Sequence, residues 1–226
     1  YGRYFTKALP AAYVVKLYSY KTGILVGLFL YAFGALLFYP AAAMENYTFF
    51  LLALYILTFG LAFLETTANP FILSMGDEAT ATQRLNLAQA FNPMGALMGL
   101  FVAQSFILGA LQSDDLDAQG NGIYESLSDS AKAVVKTADL EVIRNPYVAL
   151  GIFVLLMMLV ISFVKMPNTT QQESSTSLWS SIKRISRNER FVGGVIAQLF
   201  YVGAQIMCWT YIYQYAENLG IENQKA

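Results

Sequence analysis

The run from Tyr47 to Met75 carries a single charged residue, Glu65, and is far longer than the core of a small soluble domain can use. A hydrocarbon layer of about 30 Å takes about 20 apolar residues in helix, so a stretch of this length and polarity reads as a membrane span. In lipid every backbone N–H and C=O must be satisfied by the chain itself, and for a continuous apolar run the solution is a helix. An ionised side chain at that depth costs at least ~2.5 kcal/mol, so Glu65 reads as a functional group that faces a water-filled cavity or a polar partner. At ~1.5 Å per residue it lies roughly 16 Å from Gly76, near the bilayer midplane, where secondary transporters place their substrate sites.

The same length rule, applied along the chain, gives six segments at 1–17, 22–43, 47–75, 84–111, 146–164 and 191–216. Composition agrees, because 56% hydrophobic against 13% charged residues is too apolar for a soluble domain. The expected class is an all-α polytopic membrane protein. A net charge of -1 leaves no basic footprint for nucleic acid. The lone Cys208 excludes an internal disulfide and reads as an inert buried thiol. The lack of histidine removes the usual zinc, haem and Ser-His-Asp arrangements. Because Tyr1 stands partway into an apolar segment with no initiator Met or signal peptide, the expectation is a fragment lacking at least one helix before it.

Orientation follows from the basic residues. Lys16, Lys21, Arg84 and the run Lys165, Lys183, Arg184, Arg187 and Arg190 are assigned to the cytoplasmic side, against Lys132, Lys136, Arg144 and Lys225 outside. Residues 112–145 form an acidic outer loop in which Ser130 to Ile143 is expected to make a surface helix. The polar stretch 165–190 reads as a cytoplasmic linker between two helical bundles, 1–164 and the helix of 191–226. Gly23 with Gly27, and Gly95 with Gly99, read as close-packing pairs. Pro40, after Tyr39, is expected to end the second segment, and Pro70 to kink the third or free the Thr66 carbonyl. Pro146 to Val164 reads as scaffold.

Three polar stripes interrupt the apolar rods. Thr58, Glu65 and Asn69 stand at i, i+7 and i+11, on one helical face. Asn86, Gln89 and Asn92 recur at every third residue of the fourth segment. Gln198, Tyr201, Gln205 and Trp209 share a face of the last. Amides and aromatics on one side of a spanning helix suit a hydroxyl-rich ligand, which needs directional donors and acceptors and a flat ring to stack on. A plainer reading stands beside this one: Gln89 and Asn92 also fit interhelical hydrogen bonds worth about 0.6 kcal/mol each, and Tyr201 and Trp209 fit packing or interface positions.

Leu64-Glu-Thr-Thr-Ala-Asn-Pro-Phe71, Arg84-Leu-Asn-Leu-Ala-Gln-Ala-Phe-Asn92, Ala197-Gln-Leu-Phe-Tyr-Val-Gly-Ala-Gln205 and Tyr20-Lys-Thr-Gly-Ile-Leu-Val-Gly-Leu-Phe-Leu-Tyr31 together resemble the fucose:proton symporter family of the major facilitator superfamily. The resemblance implies that the six segments are helices 2 to 7 of a twelve-helix fold, two bundles around a central cavity. It implies a proton-coupling role for Glu65 and cavity positions for Gln89, Asn92, Gln198, Tyr201 and Gln205, with Asn69, Asn86 and Trp209 in support. The family's acidic residue on helix 1 would precede Tyr1. The expected function is proton-coupled import of a monosaccharide, L-fucose or a related hexose, by alternating access. The expected setting is a bacterial inner membrane, as a monomer when full length, with lipid around it and no cofactor apart from the coupling proton. A non-transporting sugar sensor or scaffold of the same fold is the alternative. A membrane-embedded enzyme would need a second catalytic group beside Glu65.

Overall fold

The computed structural model describes residues 11–15, 17–113, 122–166 and 178–219. Residues 11–15 and 17 are helical, and the rest of the first predicted segment lies outside the described residues, as do Asp114, Asp115, Asp117 and Lys225. Among the described residues five helical stretches are long and apolar enough to cross a membrane: Tyr20–Ala43, Tyr47–Ser74, Glu78–Ala110, Asp129–Phe163 and Glu189–Ile212. They correspond to the other five predicted segments.

Helix α1 spans Tyr20–Leu36 and starts at Ser19, whose Oγ accepts the Thr22 N–H at 3.1 Å. A second short helix, α2, continues it over Phe38–Ala43. Pro40 therefore does not stop the segment as expected. It lacks the N–H that would reach the carbonyl of Leu36, but the bonds on either side keep the helical i to i−4 pattern, with Leu37 N–H bonded to Phe33 O and Ala41 N–H to Leu37 O. The turn comes at Glu45, which takes a left-handed φ of 48°, and Asn46 then caps α3, Tyr47–Ser74, by accepting the Phe49 N–H at 3.3 Å. Pro70 sits inside α3 without interrupting it.

Gly76, at φ 72°, turns the chain back. A 3₁₀ turn at Glu78–Thr80 leads into α4, Ala81–Gln89, and α5, Phe91–Phe106. Pro93 divides these two as Pro40 divides α1 from α2, three residues after the seam at Ala90. After a 3₁₀ turn at Leu108–Ala110 and the short α6, Ile123–Ser126, helix α7 runs without a break over Asp129–Phe163. The expected surface helix of Ser130 to Ile143 and the scaffold segment of Pro146 to Val164 are one helix, with Pro146 inside it.

The core lies where α1 meets α3 and α7. A Cβ added at Gly34 would stand 2.4 Å from the Leu57 backbone N, and one at Gly60 would stand 2.3 Å from that of Tyr31, so backbones touch there. The Gly23 and Gly27 pair serves as predicted, facing Thr67 and Leu64 of α3. Thr67 is wholly buried, with its hydroxyl donated to Phe63 O at 2.8 Å and its methyl turned to Gly23. Phe38 stacks on Tyr147 of α7 with centroids 4.0 Å apart. A Cβ built at Gly95 or Gly99 would meet nothing within 4 Å, so the described residues supply no partner for this pair, and no residue of α5 is buried.

The chain divides into two compact units, Tyr1–Gln171 and Gln172–Ala226. In the second, α8 (Leu178–Ile185) precedes α9 (Glu189–Asn218), whose start is capped by Asn188 Oδ1, which accepts the Arg190 N–H at 3.0 Å. Cys208 is exposed on α9, not buried as predicted, since that reading presumed neighbours for this helix that the described residues do not supply.

Candidate functional site

The two faces of α3 differ in kind. Ala53, Leu57, Gly60, Phe63, Thr67 and Phe71 are buried. The opposite side carries Glu65, exposed, and Asn69 one turn later. In a protein surrounded by lipid, an exposed carboxylate amid apolar side chains calls for a wet or polar environment. No hydrogen bond or ion pair to Glu65 occurs among the described residues. Thr58, on the same face, is satisfied within α3 by the carbonyls of Leu54 at 2.9 Å and Tyr55 at 3.0 Å.

Asn69 is where the two N-terminal polar stripes meet. Gln89 Nε2 donates to Asn69 Oδ1 at 3.2 Å, and Asn92 Nδ2 donates to Gln89 Oε1 at 2.9 Å. Three of the residues singled out from sequence thus form one chain of amides joining α3 to the α4–α5 junction. The geometry that permits it is local: the tight return at Gly76 brings α4 against α3, and the seam at Ala90 sets Gln89 and Asn92 on consecutive helices. Asn86 is exposed and outside this chain.

Arg84 holds the return in place. Its guanidinium donates to Asp77 O at 2.9 Å and to Thr80 Oγ1, and it lies over Gly76. It is a loop staple at the end of the span, which agrees with a structural role. On α9, Gln198, Tyr201 and Trp209 are exposed and Gln205 is half-buried; none has a hydrogen-bond partner among the described residues.

Other polar contacts were not legible in the sequence. Lys21 Nζ donates to the carbonyls of Ser162 at 2.7 Å and Val164 at 2.8 Å, tying the start of α1 to the end of α7, where its charge meets the negative pole of that helix. Asp139 is buried and accepts the N–H groups of Gln112 at 2.8 Å and Ser113 at 3.0 Å. Glu45 accepts from Lys136 Nζ at 2.8 Å and from Thr137 Oγ1 at 3.1 Å. These partners are far apart in sequence and follow no spacing rule, so only the fold reveals them.

Comparison with known proteins fits this arrangement. The pattern of the Major Facilitator Superfamily matches residues 4–225. An L-fucose-proton symporter of Haemophilus influenzae is 55% identical over 97% of this chain and 52% of its own length, and one of Escherichia coli is 39% identical over 96% and 49%. A glucose/galactose transporter of Brucella abortus is 31% identical over 94% of this chain and 46% of its own. The crystal structure of the E. coli fucose:proton symporter superposes with a TM-score of 0.80 at 38% identity, covering 93% of this chain and 51% of that one. A second structure of that transporter, in the outward conformation, gives 0.81 at 39% identity over 94% and 51%. The chain spans about half the length of the curated relatives it matches. Its helical membrane architecture, the motifs around Glu65 and Asn92, and these matches place it together: the chain belongs to the major facilitator superfamily.

Proposed function

We propose that this chain is part of a secondary active transporter that couples the entry of a monosaccharide, L-fucose or a related hexose, to the entry of protons. The observation that carries the reading is Glu65, the one charge on α3, standing a turn away from an amide chain that crosses to the next span. Residues 1–164 supply most of one bundle, 165–190 the cytoplasmic linker, and 191–226 the first helix of the second bundle. Glu65 takes the proton. Gln89 and Asn92 offer hydrogen bonds to the sugar, as do Gln198, Tyr201 and Gln205 on their own shared face, with Asn69, Asn86 and Trp209 in support. The names of the relatives support sugar and proton as the transported pair, and the apolar spans together with the bacterial sources of those relatives fit the inner membrane of a bacterium as the setting.

The physical logic of coupling lies in what protonation does to a carboxylate. It removes a charge that is costly to enclose when a cavity closes, and it converts an acceptor-only group into one that also donates to a sugar hydroxyl. Closure is then favoured only when proton and sugar are both aboard, and alternating access releases them inside. In proteoliposomes carrying the full-length protein, an inward proton gradient should drive labelled L-fucose above its external concentration. Binding without movement, in the same preparation, would identify a sensor of this fold instead.

A further inference from the structure

The residues of α8, Leu178–Ile185, sort by kind around the helix. At ~100° per residue, Leu178, Trp179, Ile182 and Ile185 fall within an arc of roughly 120°. Ser180, Ser181, Lys183 and Arg184 take the rest of the circumference. A stripe of that width needs one apolar surface to lie on. Ile185, at its C-terminal end, is exposed among the described residues.

The chain itself brings α8 to the membrane. Helix α9 is long and apolar enough to span from Glu189 onward, and three residues, Ser186 to Asn188, separate the two helices. Arg187 N–H closes on Arg184 O at 3.4 Å and Asn188 N–H on Ile185 O at 2.9 Å, so α8 ends in a tight turn before Asn188 caps α9. Four steps of chain, at most ~3.6 Å each, keep Ile185 within about 14 Å of Glu189, at the edge of the span.

Charge chooses the surface. Lys183, Arg184, Arg187 and Arg190 are exposed, and none of these four side chains has a hydrogen bond or an ion pair among the described residues. Glu189 is the single acid between Leu178 and Phe191. The loops of the first unit assigned to the cytoplasmic side carry Lys16, Lys21, Arg84 and Lys165 against Asp77 and Glu78, so they offer these bases more repulsion than attraction. A leaflet that contains anionic lipid is apolar beneath and negative at its surface, which complements both sides of α8. Trp179 stands in the stripe, and tryptophan favours that boundary. We propose that α8 lies along the cytoplasmic surface of the membrane as an anchor for anionic lipid, its apolar stripe toward the acyl chains and Lys183, Arg184 and Arg187 on the headgroups. The segment 165–190 is thereby fastened at one end to the bilayer. This holds whatever solute the protein moves.

The test uses the full-length protein in nanodiscs, open on both sides, of phosphatidylcholine alone or with phosphatidylglycerol. In the unaltered protein, trypsin should cut after Lys183 and Arg184 several-fold more slowly when phosphatidylglycerol is present, relative to its cuts elsewhere in the chain. Nitroxide labels then map the helix, at Ile182→Cys in the middle of the apolar stripe and at Ser180→Cys opposite it, with the native cysteines, Cys208 among them, replaced by serine. In anionic discs the first label should collide mainly with oxygen and the second mainly with a water-soluble nickel chelate. Lys183→Gln, Arg184→Gln and Arg187→Gln together should return both labels to their phosphatidylcholine values. So should about 1 M salt, which shortens the screening length from about 10 Å to about 3 Å. Tryptic rates or label contacts that ignore the lipid and the three bases would overturn the anionic anchor. A label at position 182 hidden from both reagents in every lipid would overturn it too, because a protein face then covers the stripe. Two labels equally open to nickel would put α8 in water, against the proposal.

Discussion

On one side of α3 the backbone of Gly60 comes so near α1 that a single added carbon would stand 2.3 Å from the nitrogen of Tyr31; on the other, α3 meets α4 through a hydrogen bond of 3.2 Å between the ends of two side chains. The first seam is specified by absence of bulk. It gains van der Waals contact over a long interface and tolerates no change in volume. The second is specified by polarity, carries little packing, and leaves donors and acceptors to spare. One helix thus divides its labour: the glycine and alanine face makes a bundle, and the face with Glu65 and Asn69 is kept for chemistry. Mutations on the two sides should therefore fail in different ways.

Gly60→Val should have the largest effect. Its side chain would collide with backbone, which cannot step aside, so the cost should reach about 3 kcal/mol or more, read as loss of monodisperse protein and a lower melting temperature in detergent. Gly23→Ala is a milder probe of the same seam, since its Cβ would meet the methyl of Thr67 at 2.6 Å. It should cost ~1 kcal/mol, and a second change, Thr67→Ser, should restore most of that by removing the methyl. On the polar side, Gln89→Leu should change stability by only about 0.6 kcal/mol while sugar transport collapses. If Gln89→Leu instead unfolded the protein, or Gly60→Val left it intact, the division between the two faces would be wrong.

The smallest effect is expected outside the membrane, at the turn between α2 and α3. The hydrogen bond from Lys136, then that from Thr137 and the Lys136 charge, hold the Glu45 carboxyl below the usual carboxylate range. A carboxyl held low in the folded state stabilises it above the unfolded pKa and loses that contribution as pH falls through the folded value. The clamp should therefore be intact at neutral pH and loosen below about pH 4. Melting temperatures of the unaltered protein and Glu45→Gln should converge in acid and differ slightly at neutral pH, as for other exposed ion pairs.

Much of this was legible beforehand because lipid makes sequence rules strict. Apolar length located five of the spans, and Gly23 with Gly27 marked a close helix approach whose partner, α3, the fold supplies. Pro40 was expected to end its segment, yet a proline removes one hydrogen bond and leaves the chain free to continue: Ala41 N–H still reaches Leu37 O, and α7 likewise runs on through Pro146. Gly95 and Gly99 carry the same spacing as Gly23 and Gly27 but have no neighbour within the described residues; spacing says that a helix can approach, not that one does. The every-third-residue rule grouped Asn86 with Gln89 and Asn92, and only the break at Ala90 explains why the last two are joined and the first is left out. That Asn69 would be their partner depends on how α4 folds back across Gly76, which no single-helix periodicity encodes.

The most direct measurement concerns Glu65 alone. In the full-length protein, reconstituted with labelled L-fucose, Glu65→Gln keeps the size and hydrogen-bonding reach of the side chain and removes its proton chemistry. Uphill accumulation driven by a proton gradient should vanish, while exchange of labelled for unlabelled sugar across the same membrane continues. Undiminished gradient-driven accumulation in that variant would contradict the coupling role of Glu65.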